Sequence, residues 1–422
     1  MRAPRAGWLI VASVPLVAAA LLLGWRSHPT ASLDDRAYVA TTTVAAGGGE
    51  RQAALQLYAA GQFPGACERF SRAAADDPKS PVWRQDVARC FEGWGRDVLR
   101  QNRPEEALLL FRQGLKALPD DPGLLKAAGI AAIHGGRPTE ALEPLERAIA
   151  TEDDVEVRLL LARLYDQRDH TDRALAHLTA LLAREPGHAA ARRLLEKIER
   201  ERRVEASFQR ETTAHFVVKH RAASGETVRP VVQALERAWE RVGDQLDYHP
   251  AERVTIVLYE SVQFHDVTRV HGWVTGLYDG KIRLPLGSGL PAGAALERLV
   301  VHEYAHAAIH ELSRGRTPRW LQEGLAQYLE DVRADPLLRG PGGLTLVGLE
   351  ALIGDPDPAR ARVGYDIALW VTEDLLNRGG IASLRAVLTR LGNGDSVAAA
   401  MTKVYGMRLA ELESQWRNLL GG

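Results

Sequence analysis

Val301-His302-Glu303-Tyr304-Ala305-His306, followed by Pro318-Arg319-Trp320-Leu321-Gln322-Glu323-Gly324-Leu325-Ala326-Gln327-Tyr328, is the stretch on which the reading of this chain turns. In a helix, the spacing of H-E-x-x-H sets His302 and His306 one turn apart on the same face, where both imidazoles reach one metal ion. Glu303 points beside that ion rather than at it. Two neutral imidazoles to hold Zn²⁺ and a free carboxylate to take a proton from an attacking water are what a zinc hydrolase requires.

Working outward, the motif sits in an amphipathic helix predicted over Ala294 to Ser313, with Leu296, Leu299, Val300, Ala307 and Ile309 to pack it on a core. Gly315 and Pro318 break that helix, and a second helical run extends from Arg319 to Val332. Glu323 stands seventeen residues after His306. An antiparallel second helix brings a residue at that separation back to the metal as a third ligand.

Upstream the pattern is mixed. Thr213 to His220 alternates as a strand, Glu226 to Leu246 has the apolar face of a helix, and Val254 to Tyr259 is apolar throughout, as a central strand would be. Gly276 to Pro285 reads as a turn and a third strand whose proline suits an edge. A small sheet ahead of the motif helix gives an α+β domain. After the motif, 331–362 reads as a long mobile loop with several glycines and prolines, and helical packing follows from Ile381 to Trp416.

From Phe208 to Trp416 these residues resemble the gluzincin metallopeptidases, in particular the peptidase MA-like domains often attached to tetratricopeptide repeats. The most specific parts are His302-Glu303-Tyr304-Ala305-His306 and Trp320-Leu321-Gln322-Glu323-Gly324-Leu325-Ala326. The resemblance implies one Zn²⁺ held by His302, His306 and Glu323, with Glu303 as general base. It also implies that the strand around Gly276 to Pro285 lines the cleft and pairs with an extended peptide substrate. Similar peptidases place a Tyr or His oxyanion donor downstream of the third ligand. Tyr365, in Gly364-Tyr365-Asp366-Ile367-Ala368-Leu369-Trp370, is the candidate here, the alternative being a tyrosine that anchors the core at a helix start. His310 is expected behind the ligands or at the surface rather than as a fourth ligand, Glu330 and Asp331 as solvated helix-end acids, the alternative being a hydrogen bond to a ligand histidine, and His265 and His271 as polar surface, the alternative being a contact with substrate.

Residues before this region repeat. Ala66, Phe70, Ala73 and Pro78 share a spacing with Ala107, Phe111, Gly114 and Pro119, and with Ala174, Leu178, Leu181 and Pro186; Ala141, Leu145 and Ala148 fit without the proline. The anchor alanines are 41, 34 and 33 residues apart, and the last two intervals resemble the 34-residue tetratricopeptide unit. Gly95, Gly129 and Ala162 fall where that unit wants a small residue in its first helix. The longer first interval implies either a longer helix or a displaced first repeat. Such arrays bind a peptide or protein partner, or serve as spacers. The charged stretch from Leu194 to Val204 caps the array.

At the other end, Arg2 and Arg5 precede an apolar run from Ala6 to Trp25, long enough to cross a bilayer. The expectation is an uncleaved signal-anchor, or else a removed signal peptide, that puts the bulk of the chain on the extracytoplasmic side; cleavage would make it secreted. A tether follows, ending in Ala-Ala-Gly-Gly-Gly. The chain of 422 residues has 46% hydrophobic and 25% charged residues, a globular composition with room for two or three domains. Its formal net charge of -1 offers no field for nucleic acid. Cys67 and Cys90, the two cysteines, exclude a disulfide framework and a Cys-based zinc site. They are read as buried thiols between helices, with pairing as the alternative after export.

The resulting organisation is 1–26 signal-anchor or signal peptide, 27–49 linker, 50–204 all-α tetratricopeptide-like solenoid, and 205–422 an α+β zincin-like metallopeptidase domain. The function expected is a membrane-tethered zinc peptidase whose repeats bind substrate or a partner protein. The alternative is a non-catalytic envelope scaffold.

Overall fold

The computed structural model describes residues 10–13, 48–221, 225–271, 274–286, 291–336, 338–341 and 343–421. They form two compact units. One contains the helices up to Leu164 and Ala176–His188; the other contains the strand β1 (Ile10–Ser13), Tyr165–Leu175 and everything from Ala189 onward.

The first unit is built from helix pairs: α1 (Gly48–Ala59) with α2 (Phe63–Asp76), α3 (Pro81–Arg100) with α4 (Pro104–Ala117), and α5 (Pro122–His134) with α6 (Pro138–Thr151). α7 (Val155–Gln167) and α8 (Thr171–Arg184) follow, their joined ends lying in the other unit. Proline opens α3 to α6, where its missing N–H costs no helical bond. The Ser80 and Asp121 side chains cap α3 and α5 by accepting from the Trp83 and Leu124 amides. The anchor alanines Ala66, Ala107, Ala141 and Ala174 lie on the second helices and are fully buried. Opposite them, Gly95 and Gly129 let the helices close: a Cβ there would sit 2.5 Å from Phe111 Cε1 and 2.5 Å from Leu145 Cγ. The longer first interval is explained by α3, which has 20 residues against 13 in α5.

The cysteines correct the sequence reading. Cys67 on α2 and Cys90 on α3 are a disulfide with Cα atoms 5.5 Å apart, not two separate thiols. Both face the same buried seam with Phe70 and Val87. The packing of consecutive helices brings their Cα atoms within bonding range, a long-range fact that composition does not carry.

The second unit opens with α9 (Ala189–Glu205), which carries the charged stretch read as the cap of the array. Next come β2 (Phe208–Thr212), β3 (Phe216–Arg221), α10 (Gly225–Leu246), β4 (Val254–Glu260), α11 (Ser261–Thr268), β5 (Val274–Tyr278) and β6 (Ile282–Leu286). The sheet order is β1-β5-β6-β4-β3-β2. β4 lies between β3 and β6, parallel to both, which accounts for its continuous apolar run. The single edge strand expected over Gly276 to Pro285 is instead an antiparallel hairpin in which β6 is internal. Pro285 is tolerated because β5 pairs only with Ile282 and Arg283. The outer edge of β5 pairs in parallel with β1, Ile10 opposite Val274 and Ser13 opposite Tyr278.

Apart from Ile10–Ser13, the signal-anchor or signal peptide of 1–26 lies outside the described residues. No helix among the described residues is long and apolar enough to cross a membrane.

The motif helix α12 (Ala294–Ser313) packs against α10 and runs to an end at Arg314 and Gly315, both in left-handed backbone (φ +53° and +70°). α13 (Arg319–Leu329) then returns along it. The segment 331–362 is not a plain loop: α14 (Leu346–Ile353), capped by the Thr345 hydroxyl on the Gly348 amide, interrupts it. α15 (Pro358–Gly392), broken at Gly380 (φ +68°), packs on α13, and α16 (Val397–Tyr405) and α17 (Leu409–Gly421) complete the core. α13 and α15 cross at Gly324, where a Cβ would lie 2.2 Å from the Ala368 carbonyl oxygen and 2.2 Å from Thr372 Oγ1. Gly324→Ala gains about 1 kcal/mol in helix propensity but overpacks against backbone, at about 1–3 kcal/mol or more. A net loss of stability, read from denaturant unfolding, is the expected result.

Candidate metal centre

His302 and His306 follow from the motif spacing on α12, and Glu323 arrives on the first turns of α13 because the Arg314-Gly315 break reverses the chain. Ligand atoms of the three lie within 4.8 Å of one another. Glu323 Oε2 is 3.6 Å from His302 Nε2 and 3.4 Å from His306 Nε2. Donors at about 2.0–2.2 Å from a tetrahedral zinc stand about 3.3–3.6 Å apart, so these two separations suit that ion. His302, His306 and Glu323 are buried, and both imidazole Nε2 atoms lack a hydrogen-bond partner among the described residues. Buried polar atoms are rarely left so. Among the described residues this is the one cluster of three or more His, Cys, Asp or Glu side chains with ligand atoms so close.

The surroundings are anionic. Burial opposes protonation of His302, but the Glu330 and Glu323 carboxylates outweigh it and raise the imidazole to about 10. Burial would likewise raise Glu323; the His306 and His302 rings overcome this and hold its carboxyl well below the usual range. Glu303 is fully buried, and burial pushes its carboxyl well up, with His302 opposing and Glu323 and Glu330 adding. Its two oxygens have no hydrogen-bond partner among the described residues. Strand β5 passes directly over it: a Cβ on Gly276 would meet Glu303 Oε1 at 2.1 Å.

Glu330, read as a solvated helix-end acid, instead lies 3.2 Å from His302 Nδ1. With Nδ1–H donating to that carboxylate, the ring is oriented so that Nε2 is the nitrogen turned toward Glu323. Asp331, its neighbour, turns away to pair with Arg241 at 2.6 Å. Glu330→Gln is expected to weaken zinc binding by about 10–100-fold, measured by competition with a chromogenic chelator.

Tyr365 is buried on α15, and its hydroxyl hydrogen-bonds Arg319. Burial pushes the phenol well up, and the carboxylates of Glu323 and Glu303 are near enough to add to that effect. Gln327 joins the two helices by donating to both the Glu323 and Tyr365 carbonyls, at 3.1 and 2.9 Å. Arg319, which the sequence reading passed over, sits with Nε 3.8 Å from Glu323 Oε1; its i,i+4 spacing from Glu323 is the signal that could have found it. Gly276 likewise had a signal, since a glycine inside a strand marks a close backbone approach. His310 is not in the cluster. It packs against the Tyr278 ring, and burial lowers it to about 4, so it is neutral. His265, edge-on to Phe264, and His271 are also outside it.

Comparison with known proteins bears on the repeats. Residues 93–155 and 132–198 match tetratricopeptide repeat models. A thermophilic tetratricopeptide protein from Thermus thermophilus is a structural neighbour with 22% identity and a TM-score of 0.23, covering 35% of this chain and 96% of its own. No curated protein matches the chain. The chain therefore contains an all-helical tetratricopeptide region, a module that mediates protein–protein interaction, followed by an α+β region.

Proposed function

We propose that the second unit is a zinc-dependent peptidase and that the repeats bind its substrate or a partner protein. The convergence of His302, His306 and Glu323 around one point, with imidazole Nε2 atoms that have no hydrogen-bond partner among the described residues, carries this reading. The ion, when bound, would supply a Lewis acid that lowers the pKa of water and polarises a carbonyl. The chain's own residues do the rest. Glu303, fixed on α12 under β5, takes the proton of the attacking water and returns it to the departing amine. Tyr365, oriented by Arg319, offers a hydroxyl donor to the developing oxyanion. β5 orders an extended peptide by strand pairing along its outer edge, which Ile10–Ser13 occupies in this structure and has to leave for a peptide to bind.

In this reading the bulk of the chain works outside the cytoplasm, tethered by the apolar N-terminal run. The Cys67–Cys90 disulfide is at home in such an oxidising compartment. The test is the zinc content of the purified full chain together with cleavage of a peptide library and of unfolded protein. One zinc per chain and cleavage are expected. No zinc, or no cleavage of anything offered, overturns the peptidase and leaves an envelope scaffold organised by the repeats.

A further inference from the structure

The hairpin that forms the roof over Glu303 buries charge that the proposed reaction does not use. Lys281 is 2% exposed and Arg283 1%, a depth that cations reach only when paired. Their partners come from distant parts of the chain. Lys281 Nζ is 2.9 Å from Asp169 Oδ1, and Lys219 of β3 meets the same oxygen at 2.9 Å. Arg283 Nη2 is 3.1 Å from Glu201 Oε2 on α9. Its Nη1 donates to the Tyr259 hydroxyl at 2.6 Å, which in turn donates to Glu205, again on α9. Its Nε donates to Asp279 Oδ1 at 3.1 Å, locking the turn to its own strand. The turn also rests on the repeat side of the same unit: a Cβ on Gly280 would stand 3.5 Å from Gln167 Cβ.

A buried ion cluster of this kind adds little net stability over an apolar core, but it admits one arrangement, because losing any member strands a buried charge. What it fixes here is the tip of the β5–β6 hairpin. Gly276 is three residues from Asp279, about 10 Å along the strand, and it is the point where β5 touches Glu303. A shift of the tip would therefore move the strand that touches Glu303.

We propose that the cluster is the positioning element of the cleft, with Asp169, Glu201 and Arg283 as positioning residues that hold β5 at its working distance from Glu303. The activity arm of this proposal rests on the peptidase reading; the exchange arm does not. In the full chain, Glu201→Gln and Asp169→Asn are compared with wild type by amide hydrogen exchange and by steady-state kinetics on a peptide, with Arg283→Lys beside Arg283→Met as the conservative rescue. Exchange over 274–286 should rise about tenfold while that of α10 stays unchanged. Zinc stoichiometry, set by α12 and α13, should hold at the wild-type value. kcat/KM should fall about 10- to 100-fold, mainly through KM, and Arg283→Lys should retain more of it than Arg283→Met. Exchange that rises equally in α10, or does not rise at all in the hairpin, overturns the proposal. A wild-type protein without turnover removes the peptidase reading, and the exchange result then decides the positioning role alone.

Discussion

Glu303→Gln should lower kcat by about 10²–10⁴-fold, the usual share of a general base, while zinc content and fold stay intact. The amide has the size of the carboxylate but cannot accept the proton, so substrate binding should survive and KM should change little. Two structural facts make the contrast sharp. The Glu303 oxygens have no hydrogen-bond partner among the described residues, so the substitution breaks no network. Gly276 lies so close that a Cβ there would meet Oε1 at 2.1 Å, which leaves little room on that side for another acceptor. A loss below about fivefold, with zinc bound, would assign the proton transfer elsewhere.

His306→Ala should abolish zinc binding at micromolar zinc and with it all turnover. Structural zinc sites bind with about 10–16 kcal/mol; shared over four ligands, one ligand is worth about 2.5–4 kcal/mol, or about 10²–10³-fold in affinity. The effect also has a readout that needs no substrate. A ligand that binds only the folded chain at 1,000 times its Kd stabilises it by about 4 kcal/mol. Chelation should therefore lower the melting temperature of wild type, zinc should restore it, and neither should move that of His306→Ala. The cluster predicts the direction of the chelation result, since Glu303, Glu323 and Glu330 crowd three carboxylates around two imidazoles, with Arg319 the nearby cation among the described residues. A wild-type melting temperature indifferent to chelator and zinc would sink the metal site.

The parts of this site that sequence reading reaches are those set by local geometry. His302 and His306 are one helical turn apart, and Glu323 follows one helix break later, so spacing alone brings them to mind. The buried repeat alanines are legible for the same reason, as each recurs with its own helix pair. Glu330 was misread because acids at helix ends mostly face water, and only the return path of α13 shows that this one meets His302. The hairpin reads as a single edge strand from sequence because Pro285 suits an edge, and nothing local shows that Lys281 and Arg283 are buried. Their burial depends on Asp169, Glu201 and Glu205, up to 112 residues away. The cysteine pairing is only the second reading from sequence on similar grounds, and α14 is hidden in a segment whose glycines and prolines outnumber its helix signals.

The disulfide between α2 and α3 has a consequence for how the array comes apart. In a stack whose members touch only their neighbours, opening starts at the ends and spreads inward like a zipper. Cys67–Cys90 staples the first helix pair to the second, so the N-terminal end cannot peel away while the bridge is intact. Reduction would release that end first, and a protease would find its earliest cuts between α1 and α3.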